Sequence, residues 1–98
     1  MYIVVDRTLP QPHLSVQAAH AAIAATYTFG KHPCPHIVLC GVEGEQALND
    51  LFNSLKEQQV RCVSYNEPDF PGNPTTAIAT APLKGQERKP MRKLKLLA

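Results

Sequence analysis

Short apolar runs alternate along the chain with longer segments in which apolar residues recur at helical spacing. The short runs, at residues 2–5, 36–40, 61–65 and 75–81, contain β-branched or aromatic residues and predict β-strands. The first two runs have no polar break in their apolar part, which is typical of strands buried on both faces.

Two longer segments predict helices. The first, from residue 14 to about 27, is rich in alanine, and its apolar stripe consists of Leu14, Ala18, Ala21, Ala22 and Ala25. A stripe of small residues allows a helix to pack closely on a sheet. The second, at residues 44–58, has the clearest periodicity in the chain, with Leu48, Leu51, Phe52 and Leu55 on one face.

The element order is therefore β-α-β-α-β-β, which predicts a three-layer α/β/α fold around a four-stranded mixed sheet. Two strand–helix–strand units imply parallel strands joined by right-handed crossovers. Only about ten residues join the last two strands, too few for a parallel crossover, so the fourth strand should be antiparallel to a neighbour. The sequence has no internal repeat, so we expect a single domain over residues 1–98 with a basic C-terminal segment at 84–98.

Prolines mark the segments that are expected to be irregular. Residues 8–12 contain two prolines and predict a loop. Residues 66–74 contain three prolines and one glycine and predict a second loop. Pro82, Gly85 and Pro90 interrupt the C-terminal segment, for which we expect a short helical turn followed by coil.

The composition favours a globular protein of the cytoplasm. Hydrophobic residues make up 44% of the chain, and no apolar run approaches the roughly 20 residues of a transmembrane helix. The N-terminal strand lacks the features of a signal peptide, so we expect a cytoplasmic protein with no membrane partner. The three cysteines are an odd number, which favours reduced thiols. Cys40 and Cys62 lie in apolar runs and are expected to be buried.

Charge is distributed unevenly along the chain. Residues 84–95 contain six basic residues and one acid, whereas the first 83 residues contain four basic and seven acidic residues. A basic segment on a slightly acidic body indicates a polyanionic partner. A solubilising tail would have the same pattern.

One face of the first predicted helix is polar. His13, Gln17, His20 and Ala24 recur at helical spacing beside the alanine stripe, and Gln17 and His20 are surface neighbours. In α/β sheets, ligands bind where strands end and the following helices begin, which is the position of this pair. The alternative is an ordinary solvated face.

The loop after the third predicted strand supplies acids near the same end of the sheet. It contains Glu67 and Asp69 between prolines, and Thr75 and Thr76 follow. Prolines restrict the unfolded chain, so a carboxylate between them is held in position. Such an acid beside a histidine, a residue that titrates near neutral pH, and a threonine hydroxyl can activate water. The alternative is a solvated turn.

A metal centre is not expected. Residues 32–36 alternate His, Pro, Cys34, Pro and His, with Cys40 beyond, but zinc ligands come in two pairs separated by a longer loop. We therefore predict neither a metal nor a cofactor. The sequence also lacks a phosphate-binding glycine loop and a Gly-x-Ser-x-Gly motif.

The segment Val16-Gln-Ala-Ala-His-Ala-Ala22 resembles the Val/Ala-Gln-x-x-His-Ala-Ala signature of archaeal/eukaryotic-type peptidyl-tRNA hydrolases. The order of elements and the basic C-terminus closed by leucines are similar as well. The resemblance covers nearly the whole chain. It implies a mixed four-stranded α/β/α fold, a possible homodimer, and metal-independent hydrolysis of the ester between a peptide and tRNA.

The resemblance also implies roles for individual residues. His20 would polarise or orient the ester with support from Gln17, and Asp69, or Glu67, would orient or deprotonate water. Thr76 would position the substrate or that acid. Further substrate contacts are expected from one set of residues: His13, Glu67, Thr75, Lys31, Arg88, Lys89, Arg92 and Lys93. The basic residues among them would bind tRNA phosphates.

Two positions depart from the family pattern. The family has a lysine, preceded by glycine, four residues before the helix glutamine, where this chain has Pro12 and His13. The family loop Asp-Ala-Gly-x-Thr is replaced by residues 67–72. These departures support one alternative to an enzyme, an inactive module that still binds tRNA or another polyanion. A third alternative is a regulatory or interaction subunit without a nucleic-acid role.

Overall fold

The computed structural model describes residues 1–32 and 36–97, which form four strands, two α-helices and one 3-10 helix. The strands are β1 (Tyr2–Asp6), β2 (Val38–Val42), β3 (Cys62–Asn66) and β4 (Thr75–Thr80). The α-helices are α1 (Gln11–Phe29) and α2 (Glu45–Glu57), and the 3-10 helix is Gly85–Met91. The element order is the one that the sequence predicts.

The four strands form one mixed sheet in the order β2-β1-β4-β3. β1 and β2 are parallel, and β4 is antiparallel to both β1 and β3. β1, β2 and β3 therefore all end on the same side, which we call the carboxyl end of the sheet, and the opposite side is its amino end. The prediction of an antiparallel fourth strand is confirmed.

A hydrophobic core lies on each face of the sheet, giving the three predicted layers. On one face, Leu14, Ala21 and Ala25 of α1 pack against alternate residues of β1 and β4. On the other face, Leu48 and Leu55 of α2 pack against the intervening residues of the same two strands. The alternation of side chains along each strand supplies both faces from the same short apolar runs.

Helix α1 begins earlier than the prolines suggested. Pro10 caps the helix and Pro12 is its second residue, so the predicted loop over residues 8–12 is wrong for its last two residues. The first backbone N–H groups of a helix have no partner within it, and proline is therefore tolerated in the first turn. The early start adds His13 to the helix that contains Gln17 and His20.

Strand β2 is an edge strand, not a strand buried on both faces as predicted. It begins at Val38, two residues later than expected, and its Leu39 side chain is exposed. β2 pairs with β1 on one side only. A continuous apolar run does not distinguish an edge strand from a central one, because both positions accept the same residues.

The free side of β2 is covered by the end of the chain. The N–H of Gly41 donates to the Lys95 carbonyl, and the N–H of Leu97 donates to the Leu39 carbonyl. Arg7 donates to the carbonyls of Gly41 and Leu96, each at 3.2 Å. The basic C-terminal segment is therefore docked on the body.

The 3-10 helix also anchors this segment. Its last residue, Met91, is buried in the core under α2, where Leu94 packs against the same cluster. The helical turn predicted for this region is confirmed. Truncation at residue 84 would remove a core side chain, so the basic residues are best tested one at a time.

Cys40 and Cys62 are buried, as predicted. Burial raises the pKa of both thiols, which favours the neutral form. The third cysteine, Cys34, lies outside the described residues, and so does the middle of the alternating His-Pro-Cys segment.

Candidate functional site

A chain of hydrogen bonds links α1, β4 and the loop after β3 at the carboxyl end of the sheet. The Thr76 hydroxyl donates to Oε1 of Gln17 at 2.5 Å. Nε2 of Gln17 donates to Oε1 of Glu67 at 3.2 Å. The hydroxyl of Tyr65 donates to the second carboxylate oxygen of Glu67, also at 3.2 Å. The Glu67 carboxylate thus accepts one hydrogen bond on each oxygen, from Gln17 and from Tyr65.

Gln17 is at the centre of this cluster. Its side chain is only 1% exposed, so the interpretation of this helix face as an ordinary solvated surface is wrong for Gln17. Its amide oxygen accepts from Thr76 while its nitrogen donates to Glu67. These two opposite partners fix the orientation of the amide.

A β-bulge brings Thr76 to Gln17. Ala77 and Ala79 face α1, so regular alternation would direct Thr76, with Ile78, toward α2. The register between β3 and β4 shifts at this point: Tyr65 pairs with Ala77 and Asn66 pairs with Thr75, which leaves Thr76 as the extra residue. Bulges re-aim single side chains in this way.

The loop after β3 holds Glu67 in place through its backbone. The N–H of Glu67 donates to the Pro74 carbonyl at 3.0 Å, which closes the base of the loop. Turns within the loop bond Phe70 back to Glu67 and Asn73 back to Phe70. The Glu67 side chain is consequently only 6% exposed.

The hydrogen bonds favour the ionised form of Glu67. Its pKa is lowered below the ordinary value of 4.5, chiefly by the hydrogen bond from Gln17. Burial opposes this effect, while the Tyr65 hydroxyl, the Asp69 backbone and the charge of His20 add to it. The pKa of Tyr65 is raised, first by burial and then by the charge of Glu67. At neutral pH a protonated phenol therefore donates to a charged carboxylate.

His20 lies beside the same cluster, one turn along α1 from Gln17. Its imidazole stacks on the ring of Tyr65, with 4.5 Å between the ring centroids and 6° between the planes. The side chain is partly exposed. One face of the imidazole is thus covered by an aromatic ring whose hydroxyl contacts Glu67.

An open cavity of about 360 Å³ adjoins the cluster. Gln17 and Glu67 line it, and His13, Asp69 and Phe70 are among its other lining residues. The His13 and Phe70 rings, which both line the cavity, lie 5.2 Å apart and are inclined by 53°. A small polar group or a water molecule in this cavity would lie beside Glu67 and Gln17.

The two candidate acids occupy different environments. Glu67 is buried and hydrogen-bonded to Gln17 and Tyr65, whereas Asp69 is exposed on the cavity wall.

Thr75 has a different neighbourhood again. Its N–H donates to Glu45 at 2.8 Å, and its hydroxyl accepts from Asn66. These bonds join the start of β4 to α2 and β3.

The predicted phosphate-binding residues are divided between the two ends of the sheet. Lys93 lines a cavity of about 440 Å³ with Arg7, Glu43 and Lys95, beyond the carboxyl ends of β1 and β2. Lys31 follows the C-terminus of α1 beside Met1, at the amino end. The remaining basic residues of the prediction, Arg88, Lys89 and Arg92, are exposed on and after the 3-10 helix.

Arg88 is directed toward the amino end. Its Nε donates to the hydroxyl of Tyr2 at 3.2 Å. Among these basic side chains, Lys93 lines a cavity at the carboxyl end of the sheet, where Gln17 and Glu67 also lie.

The described residues contain no group of three or more His, Cys, Asp or Glu side chains that is arranged to hold a metal ion. Among the helices of residues 1–32 and 36–97, none has the length and apolarity needed to cross a bilayer.

Fold and site together define the class of this protein as a three-layer α/β domain with a polar cluster at the carboxyl end of a mixed sheet. Neither the family models nor the curated proteins that were compared with the sequence give a match. The likeness to peptidyl-tRNA hydrolases therefore rests on the residues of the α1 signature and on the order of the elements.

Proposed function

We propose that this protein hydrolyses the ester bond between a peptide, or an N-blocked amino acid, and tRNA by metal-independent activation of water. The main support is the buried Thr76–Gln17–Glu67 chain of hydrogen bonds, which ends on an ionised carboxylate beside His20. Burying a polar chain of this kind is costly unless each member has partners. Its position next to an open cavity favours a chemical role over a structural one.

The proposed reaction adds water across the ester. The water oxygen bonds to the carbonyl carbon, the bond from that carbon to the ribose oxygen breaks, and the proton that the water loses balances the one that the ribose oxygen takes up to leave as a hydroxyl. Each carboxylate oxygen of Glu67 already accepts one hydrogen bond and has a further lone pair for water. Because its pKa is lowered, the Glu67 carboxylate is a weak base. It is therefore better suited to orient water than to remove a proton from it.

His20 is proposed to orient and polarise the ester. The helix carries its imidazole next to Glu67, and histidine is the commonest side chain in such roles. His13, which lines the cavity, occupies the position at which the family has a lysine. An imidazole donates hydrogen bonds but is not a permanent cation, so it stabilises developing negative charge less than lysine does.

The test of this proposal is release of free tRNA from an N-blocked aminoacyl-tRNA, measured over many turnovers at low salt and without added metal. Multiple turnovers that persist in a chelator would support the proposal. Folded protein that binds tRNA but releases nothing would identify the inactive binding module instead. A protein that shows no salt-dependent tRNA binding would be an interaction subunit.

A comparison of two lysines tests how tRNA is bound. Lys93→Ala should weaken tRNA binding and reduce the slope of log K against log salt by about 1. Lys31→Ala is the matched control, since Lys31 lies at the amino end of the sheet, away from the ester. Fluorescence anisotropy over a salt series measures both slopes. Equal effects of the two variants would contradict this orientation of tRNA.

The cytoplasm is the proposed location because peptidyl-tRNA arises there during translation. A homodimer is also proposed on the resemblance. Two exposed apolar side chains on α1, Val16 and Ile23, support it.

A further inference from the structure

Tyr65 contacts both of the groups to which the proposed reaction assigns a chemical role. Its ring lies parallel to the His20 imidazole, and its hydroxyl donates to Oε2 of Glu67 at 3.2 Å. The three side chains come from two elements, since Tyr65 and Glu67 flank the end of β3 and His20 belongs to α1. Tyr65 thus contacts the imidazole through its ring and the carboxylate through its hydroxyl.

We infer that Tyr65 is a positioning residue that fixes the plane of the His20 imidazole and the orientation of the Glu67 carboxylate relative to each other. This inference rests on the proposed function for its catalytic consequence. The sequence motif contains no tyrosine, and Tyr65 enters the site through its place at the end of β3.

The ring and the hydroxyl of Tyr65 perform separable tasks. A centroid distance of 4.5 Å with nearly parallel planes is a close aromatic stack. Such a stack opposes tilting of the imidazole. The hydroxyl holds one carboxylate oxygen while Gln17 holds the other. Together these two bonds prevent rotation of the carboxylate.

The neighbours of Tyr65 keep its hydroxyl in the donating form. Burial and the negative charge of Glu67 both raise the pKa of the phenol. The phenol therefore stays neutral, and its proton points toward the only partner that the described hydrogen bonds give it, which is Glu67.

Two substitutions separate the tasks, and a second tyrosine provides the control. Tyr65→Phe keeps the ring and removes the hydroxyl, whereas Tyr65→Leu removes both. Tyr27 lies on the same helix as His20 but is 88% exposed, so Tyr27→Phe and Tyr27→Leu are matched controls. The measurements are the NMR shifts of the His20 ring protons, and kcat and KM with N-blocked aminoacyl-tRNA at a temperature well below unfolding.

The expected NMR result needs no substrate. The ring protons of His20 should be shifted upfield by the Tyr65 ring in the wild type and in Tyr65→Phe. The shift should be lost in Tyr65→Leu and unchanged in both Tyr27 variants. An unshifted His20 in the wild type, or a shift that survives in Tyr65→Leu, would overturn the inference.

The kinetic result separates a positioning role from a structural one. We expect kcat to fall several-fold in Tyr65→Phe and on the order of tenfold in Tyr65→Leu, with KM for tRNA nearly unchanged, because misplaced groups slow chemistry more than binding. Wild-type kcat in Tyr65→Leu would overturn the inference while the hydrolase proposal stands. A wild type without turnover would refute the hydrolase, and the NMR comparison would still decide whether Tyr65 orients His20.

Discussion

Replacing Glu67 with glutamine should reduce kcat on N-blocked aminoacyl-tRNA by on the order of a hundredfold, the usual size of a lost acid–base or water-orienting group. Glutamine has nearly the same shape but no charge, and its amide nitrogen would face a donor where the carboxylate accepts two. Single-turnover kinetics with saturating enzyme would isolate the chemical step from tRNA binding.

Asp69→Asn is the matched control for this experiment. Asp69 lies two residues along the same loop and lines the same cavity, but it is exposed. Its replacement should leave kcat nearly unchanged. The reverse result, a large loss in Asp69→Asn with an active Glu67→Gln, would show that the exposed acid is the functional one and that Glu67 is structural.

The same substitution has a consequence for stability that depends on pH. Glu67 has a lower pKa in the folded protein than its ordinary value of 4.5, so folding favours the ionised form. The stabilisation is fully present above pH 4.5 and is lost as the pH falls through the lower folded value. Urea unfolding at several pH values should therefore show wild type losing its advantage over Glu67→Gln as the solution becomes acidic.

His20→Ala should reduce kcat by on the order of a hundredfold or more. The loss follows from removal of the group proposed to orient and polarise the ester. Stability should change little, because the side chain is partly exposed and its stack on Tyr65 is worth only about 1 kcal/mol. The measurements are single-turnover kinetics and thermal unfolding of the same preparations.

His36→Ala is the control for a lost imidazole. His36 is exposed beyond the amino end of the sheet, and its described contact, with the Met1 amine, uses only its backbone carbonyl. The His36→Ala variant should retain full activity. Collapse of stability in His20→Ala would mean that His20 is a packing residue and that the site assignment is wrong.

Much of the fold follows from local pattern. The alanine stripe of α1 and the leucine face of α2 both pack on the sheet as their spacing predicts. The short connection between the last two strands correctly predicted an antiparallel β4. The errors arose where the place of a residue within its element or sheet matters. Proline is accepted in the first turn of a helix, and an apolar run became the edge strand β2.

The site was only partly predictable. Spacing along α1 identified Gln17 and His20, and the proline-rich loop identified Glu67 and Asp69 as candidates. The choice between these acids was left open by the sequence. Tyr65 was recognised only as a strand residue, although alternation along an extended chain puts it on the same side as Glu67, two residues on.

The sequence by itself determined the layers, the strand directions and the set of polar residues at the carboxyl end of the sheet, because these depend on hydrophobic periodicity and connection length. Only the tertiary structure decided which of those residues meet. The bulge that turns Thr76 toward α1 depends on the register between β3 and β4, and the burial of Glu67 depends on how the loop closes over Gln17. Contacts between residues 50 or more positions apart, such as Gln17 with Glu67 and Thr76, follow from packing and not from local sequence.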